Sequence, residues 1–164
     1  MQNPKIKIKL DTYDKVLEIL GAASLMLIIM LPFNYYGQLP DIIPSHFNAM
    51  GMTDSYSSKS VIFILPSIGF ILYMALHTLN RYPHIFNYPK PITPENAAKQ
   101  YRAATKLVRM TNTIMILAFT FITYSTILAA LNMQSGIPAV FIYIFIGGLI
   151  GSFVLYFLNL RNVF

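Results

Sequence analysis

Four long apolar blocks dominate this sequence, at 16–33, 60–79, 107–131 and 138–160. A run of about 17–25 apolar residues crosses the hydrocarbon core of a bilayer as one helix. In lipid a segment must satisfy its own backbone polar groups, so each block reads as a helix. Charged residues make up only 11% of the 164-residue chain, against about 25% in ordinary soluble domains. That is too few to cover a soluble body of this size. The expected fold class is therefore all-α: one membrane domain, 1–164, built as a four-transmembrane-helix bundle. Its helices are expected at about 16–35, 60–79, 94–131 and 138–160. A structured loop at 36–59 follows the first helix, and an 80–93 loop follows the second.

Basic residues give the sidedness. Lys5, Lys7, Lys9 and Lys15 precede the first block. Arg81, Lys90, Lys99, Arg102, Lys106 and Arg109 lie between or at the edges of the second and third, and Arg161 follows the fourth. All twelve except Lys59 thus fall on one side. Cytoplasmic flanks retain Lys and Arg. Both termini and the 80–108 stretch are expected inside, and 36–59 and 132–137 outside. The first block is longer than a signal-peptide core and ends in Asn34-Tyr35-Tyr36 with no small-residue cleavage site, so it reads as a retained helix. The net charge of +6 suits anionic lipid rather than nucleic acid, because the cations flank apolar blocks.

The inner stretch 82–91 is rich in Pro and aromatics and reads as extended, with its rings, Tyr88 among them, at headgroup level. Thr93 then reads as an N-cap, Pro94 as the first helical residue, and Glu95 as an acid at the positive helix end that pairs with Lys99. Asn96, Tyr101 and Arg102 follow in what is expected to be a cytoplasmic extension of the third helix. Glu18 and Arg109 fall at similar depth near the inner ends of their helices, so a Glu18–Arg109 or Glu18–Lys106 pair is expected to brace the bundle. Gly147 and Gly151 form a G-x-x-x-G face on the fourth helix, suited to packing within the bundle or to a homo-oligomer.

The 36–59 loop is the part with chemistry. A connector between spans needs only a few polar residues; this one holds Pro44, His46, Phe47, Asn48, Gly51, Asp54 and Lys59. Gly51 suits a turn with positive φ. One reading is a structural cap, in which His46, Asn48, Asp54 and Lys59 hydrogen-bond the loop onto the helix ends. The other is a ligand site open to the outside, with His46 and Asp54 as its polar contacts. Asp41, His46 and Asp54 match no zinc spacing, and His77 with His84 lacks a third ligand, so no metal is expected. No cofactor is expected either. With no cysteine, thiolate chemistry is excluded. The catalytic patterns H-E-x-x-H and G-x-S-x-G and the phosphate-binding glycine loop are absent, which weighs against an enzyme.

The run Pro-x-His-Phe-Asn-x-x-Gly-x-x-Asp-x-Tyr-x-x-Lys from Pro44 to Lys59 resembles a bacterial membrane domain of unknown function. That domain also opens the SdpI-type immunity proteins, which protect bacteria from a secreted peptide toxin. The run from Tyr82 to Pro89, with Thr93-Pro94-Glu95-Asn96 and Tyr101-Arg102, is similar to stand-alone members of the same family. The resemblance covers roughly 35–110. It implies a bacterial cytoplasmic membrane, and immunity or envelope sensing as special cases. Two functions stand ahead of a third and weakest, a membrane hydrolase with a metal at His46 and Asp54. One is a membrane binding protein that meets a peptide, a lipid or another membrane protein. The other is a small oligomeric transporter or channel subunit using the glycine face of the fourth helix.

Overall fold

A computed structural model describes residues 3–161. Its elements run α1 (Thr12–Tyr35), β1 (Ile42–Phe47), β2 (Thr53–Ser58), α2 (Ile64–Leu79), α3 (Ala97–Ala130) and α4 (Val140–Arg161). Among the described residues four helices are long and apolar enough to cross a membrane, so the chain reads as a multi-pass membrane protein.

Helix α3 is the hub. The other three helices each pack chiefly against it. The reason is its small and hydroxyl-bearing side chains: Ala103, Ala104, Thr113, Ala118, Thr120, Thr123, Ser125 and Thr126 are all buried. Small residues let helix backbones approach closely, and hydroxyls bond across helices in a solvent that offers no alternative. The seam with α1 uses both devices. The Ser24 and Thr120 hydroxyls meet at 2.8 Å, and the Thr113 hydroxyl donates to the Leu17 carbonyl at 3.1 Å. Beside them Gly21 leaves room for the Tyr73 ring, which an added Cβ would meet at 3.0 Å. Asn112 Nδ2 donates to the Tyr73 carbonyl at 3.2 Å and ties α2 to α3. Apolar packing fills two zones, Ile28–Tyr73–Ile116 in mid-bundle and Leu31–Ile43–Ile62–Ile127 under the hairpin.

Several boundaries differ from the sequence reading. Helix α1 starts at Thr12 rather than 16, because Asp11 and Asp14 form a reciprocal capping box. Asp14 N–H donates to Asp11 at 2.8 Å, and Asp11 N–H donates to Asp14 at 3.0 Å. Hydropathy rises only at Val16, so an acidic first turn was invisible to an apolar count. Residues Lys59–Phe63 form a 3-10 turn that leads into α2. Thr93 does not cap α3. It closes a turn with Asn96 (Thr93 N–H donates to Asn96 Oδ1 at 3.0 Å), and α3 starts at Ala97. The Thr93 hydroxyl bonds Glu95 in place of Lys99 and holds the Glu95 carboxyl below the ordinary carboxylate range. Pro138 stands two residues ahead of α4, and its carbonyl accepts from Phe141 N–H at 2.9 Å.

The face of α4 also needs correction. Nothing lies within 4 Å of a Cβ added at Gly147 or Gly151, so this pair does not pack inside the bundle. Gly148 does, against Ile114, and the buried Ser152 hydroxyl donates to the Leu149 carbonyl at 2.7 Å.

At the end of the bundle that holds the termini, the 80–96 connector is pinned rather than loose. Tyr88 donates to the Pro83 carbonyl at 2.8 Å and lays its ring 5.4 Å from that of Tyr101. Tyr101 donates to the Pro4 carbonyl at 3.0 Å, and Asn3 to the His84 carbonyl at 3.0 Å. Burial pushes the Tyr88 phenol up, so it stays a neutral donor. Arg102 is exposed beside this packing.

Candidate functional site

The stretch between α1 and α2 is a two-stranded antiparallel hairpin. Its register pairs Ile43 with Ser57, Pro44 with Tyr56 and Phe47 with Thr53, with an irregularity around Ser45 and His46. Pro44 lacks an N–H, and a two-stranded ribbon tolerates that at an open edge. The turn is closed by Asn48. Its backbone N–H donates to the Met52 carbonyl at 2.9 Å, and its side-chain oxygen accepts from Met50 and Met52 N–H at 2.9 and 3.1 Å. Gly51 completes the turn at φ 78°, in the left-handed region that glycine adopts without strain.

The hairpin is fastened at three points. Ile43, fully buried, enters the apolar zone with Leu31, Leu39, Ile62 and Ile127. Lys59 Nζ reaches Asp41 at 3.1 Å and lies 5.3 Å from the centre of the Tyr36 ring. At the tip, Ile137 N–H donates to the Gly51 carbonyl at 2.8 Å and Met52 bridges Gly136, so the hairpin is joined to the α3–α4 turn.

His46 Nδ1 and Asp54 Oδ1 face each other across the strands at 2.6 Å. Their side chains are 68% and 42% exposed, so the pair is available to a partner rather than spent in the core. Behind it a cavity of about 430 Å³ opens between the hairpin, the start of α2 and α3. Pro44, His46 and Phe47 form one wall; Ile64, Ile122 and Thr123 form another. The Thr123 hydroxyl is buried and has no hydrogen-bond partner among the described residues. Ile42, Met50, Met52 and Tyr56 are exposed on the hairpin, and Met133 on the neighbouring turn. Flexible thioethers and an amphipathic ring form an adaptable contact surface.

The structure thus brings Pro44, His46, Phe47 and Asp54 together. Asn48, Gly51 and Lys59 build and fasten the hairpin. Thr123 and Ile137 were not singled out in the sequence, since nothing in a run of apolar and hydroxyl residues marks which hydroxyl faces a cavity. The sequence suggests Asp41 only as a possible metal ligand; its bond to Lys59 comes from the strand pairing. Among the described residues no cluster of three His, Cys, Asp or Glu side chains could hold a metal.

A second polar cluster lies far from the hairpin. Arg109 Nη1 donates to Asp14 at 2.9 Å and Nε to Glu18 at 3.0 Å. The Glu18–Arg109 pair forms as expected, and Asp14 joins it. Lys106 pairs with Asp11 at 2.7 Å rather than with Glu18. That bond, first among several causes, lowers the Asp11 pKa to about 2. His77 accepts or shares a bond with Arg81 at 3.2 Å, while His84 lies edge-on to Tyr82, so the two histidines have separate partners.

Residues 23–70 match the family model of the domain of unknown function DUF1648. The match begins inside α1, takes in the whole hairpin and ends inside α2; the 82–102 stretch lies outside it. An uncharacterized protein from Archaeoglobus fulgidus is 31% identical over 83 residues. That alignment covers 46% of this chain and 45% of the relative, so the chain aligns with about half of the relative's length. No solved structure matches the chain.

Proposed function

We propose that the protein is an integral membrane binding protein whose hairpin face recognises an extracytoplasmic peptide or a neighbouring membrane protein. The observation that carries this reading is the exposed His46–Asp54 pair set over a largely apolar 430 Å³ cavity, on a hairpin fastened to the bundle. A hairpin that only capped the helix ends would need Ile43 and Lys59 but neither the open pair nor the cavity. Charge distribution supports an outward face, with both termini and the α3 start in the cytoplasm. The site is proposed to lie on the cytoplasmic membrane of a prokaryotic cell. Toxin immunity and envelope sensing are special cases of such recognition, drawn from the resemblance of the 44–59 run. The polar side chains along α3 favour binding over flux, because Thr113 and Thr120 are spent on bonds to α1.

The test places a photoreactive side chain at position 50 in cells. Adducts with an extracytoplasmic peptide or membrane protein are expected, and His46→Ala with Asp54→Ala should reduce them while thermal melting of the purified protein is unchanged. Melting that collapses in both variants, or adducts indifferent to them, would leave the hairpin a structural cap.

A further inference from the structure

A cavity larger than the one under the hairpin lies elsewhere in the molecule. A groove of about 910 Å³ runs along α4, lined by Ile146, Phe153, Phe157 and Leu158 and closed at one end by Lys90 and Arg161. We infer that this groove is a binding site for one anionic glycerophospholipid, with an acyl chain laid against α4 and the phosphate held between Lys90 and Arg161.

Three observations point to that occupant. The first is length. From Ile146 to Leu158 a helix rises about 18 Å at 1.5 Å per residue. One leaflet of a hydrocarbon core about 30 Å thick spans about 15 Å. The apolar lining therefore matches the reach of a chain confined to one leaflet. The second is charge placement. The two cations sit at the end where α4 finishes and the 80–96 connector crosses. Basic pockets at this level recognise anionic headgroups. The third is the state of α4 itself. It packs chiefly on α3, and of its residues only Ser152 and Leu160 are buried, which leaves the groove wall facing the membrane. The inference is independent of the hairpin reading.

Native mass spectrometry on the purified full chain, offered equal amounts of phosphatidylglycerol and phosphatidylcholine with identical acyl chains, tests it. Phosphatidylglycerol should be retained at least about fivefold better, the worth of one basic residue near a headgroup. Lys90→Gln with Arg161→Gln should bring the two lipids to parity, whereas Lys5→Gln with Lys9→Gln should leave the preference intact. On the unaltered chain, a photoactivatable phosphatidylglycerol should label residues 146–158. Equal retention of both lipids, a preference that survives the Lys90 and Arg161 changes, or labelling confined elsewhere would overturn the site. So would a dimer in lipid discs cross-linked through a Phe157→Cys variant, since a second copy would then fill the groove.

Discussion

Arg109 is the side chain on which the most buried charge depends. It is 7% exposed, Asp14 is 2% exposed, and one guanidinium serves both Asp14 and Glu18. Removing one partner of a buried pair strands the other charge, at a cost on the order of 3–5 kcal/mol. Arg109→Ala is accordingly expected to lower the melting temperature of the purified protein sharply. Arg109→Lys should recover only part, because a point-charge ammonium cannot present the Nε and Nη1 fork to two carboxylates. Melting as high as that of the unaltered chain in Arg109→Ala would show the cluster to be incidental. The Lys106–Asp11 pair makes a pH-dependent contribution of known sign. The Asp11 pKa is lowered from 3.8 to about 2, first by the Lys106 hydrogen bond and next by the Asp14 backbone. A depressed carboxylate stabilises the fold above its unfolded value and loses that contribution as pH falls through the folded one. The difference in melting temperature between the unaltered chain and Lys106→Gln should therefore hold at pH 5 and shrink as pH falls from about 4 to about 2. A difference that stays constant over that window would refute the linkage.

Among the elements, the hairpin depends on a single glycine. A Cβ at Gly51 would overlap the Ile137 carbonyl, and its φ of 78° is already in the left-handed region. Gly51→Ala is expected to cost at least about 1–2 kcal/mol from conformation alone, and the clash adds to that by parting the hairpin from the α3–α4 turn. Faster hydrogen exchange at Met52 and Ile137, with α1 and α3 unchanged, is the expected signature; unaltered protection there would refute it. This element also shows what the sequence made legible. The apolar blocks located all four helices, and Gly51 marked its own turn, since both signals are local. Strand pairing was not legible. Ile42-Ile43-Pro44 and Thr53 to Ser58 carry no clean alternation, so Pro44 to Asn48 reads only as a short extended piece with no partner; tertiary anchoring of Ile43 decides the pairing. The turn at 93–96 departs from its sequence pattern for a related reason. Thr-Pro-Glu-Asn is a helix start by pattern, yet Asn96 competes for the same backbone groups and closes a turn first. The fate of the glycine face of α4 lay beyond the sequence too, because spacing reveals a face but not what it meets.

For the whole molecule, sidedness is the property on which the proposed outward face of the hairpin rests. The chain has no cysteine, so single thiols report cleanly. Met50→Cys is expected to react with an impermeant maleimide in intact spheroplasts, and Glu95→Cys only after lysis. The reverse pattern would turn the hairpin toward the cell interior and end the proposed recognition of external partners. The same architecture puts α3 at the centre, with α1 and α2 held to it by bonds at Thr113, Thr120 and Asn112.

The Arg109 cluster also has a consequence for biogenesis. Asp14 and Arg109 are 95 residues apart in the chain. At a ribosomal rate of about 5–20 residues per second, the interval between them is on the order of 5–20 s. Throughout that time Asp14 and Glu18 on the newborn first helix lack the Arg109 guanidinium, and insertion machinery, water or another cation must shelter them until the third helix arrives.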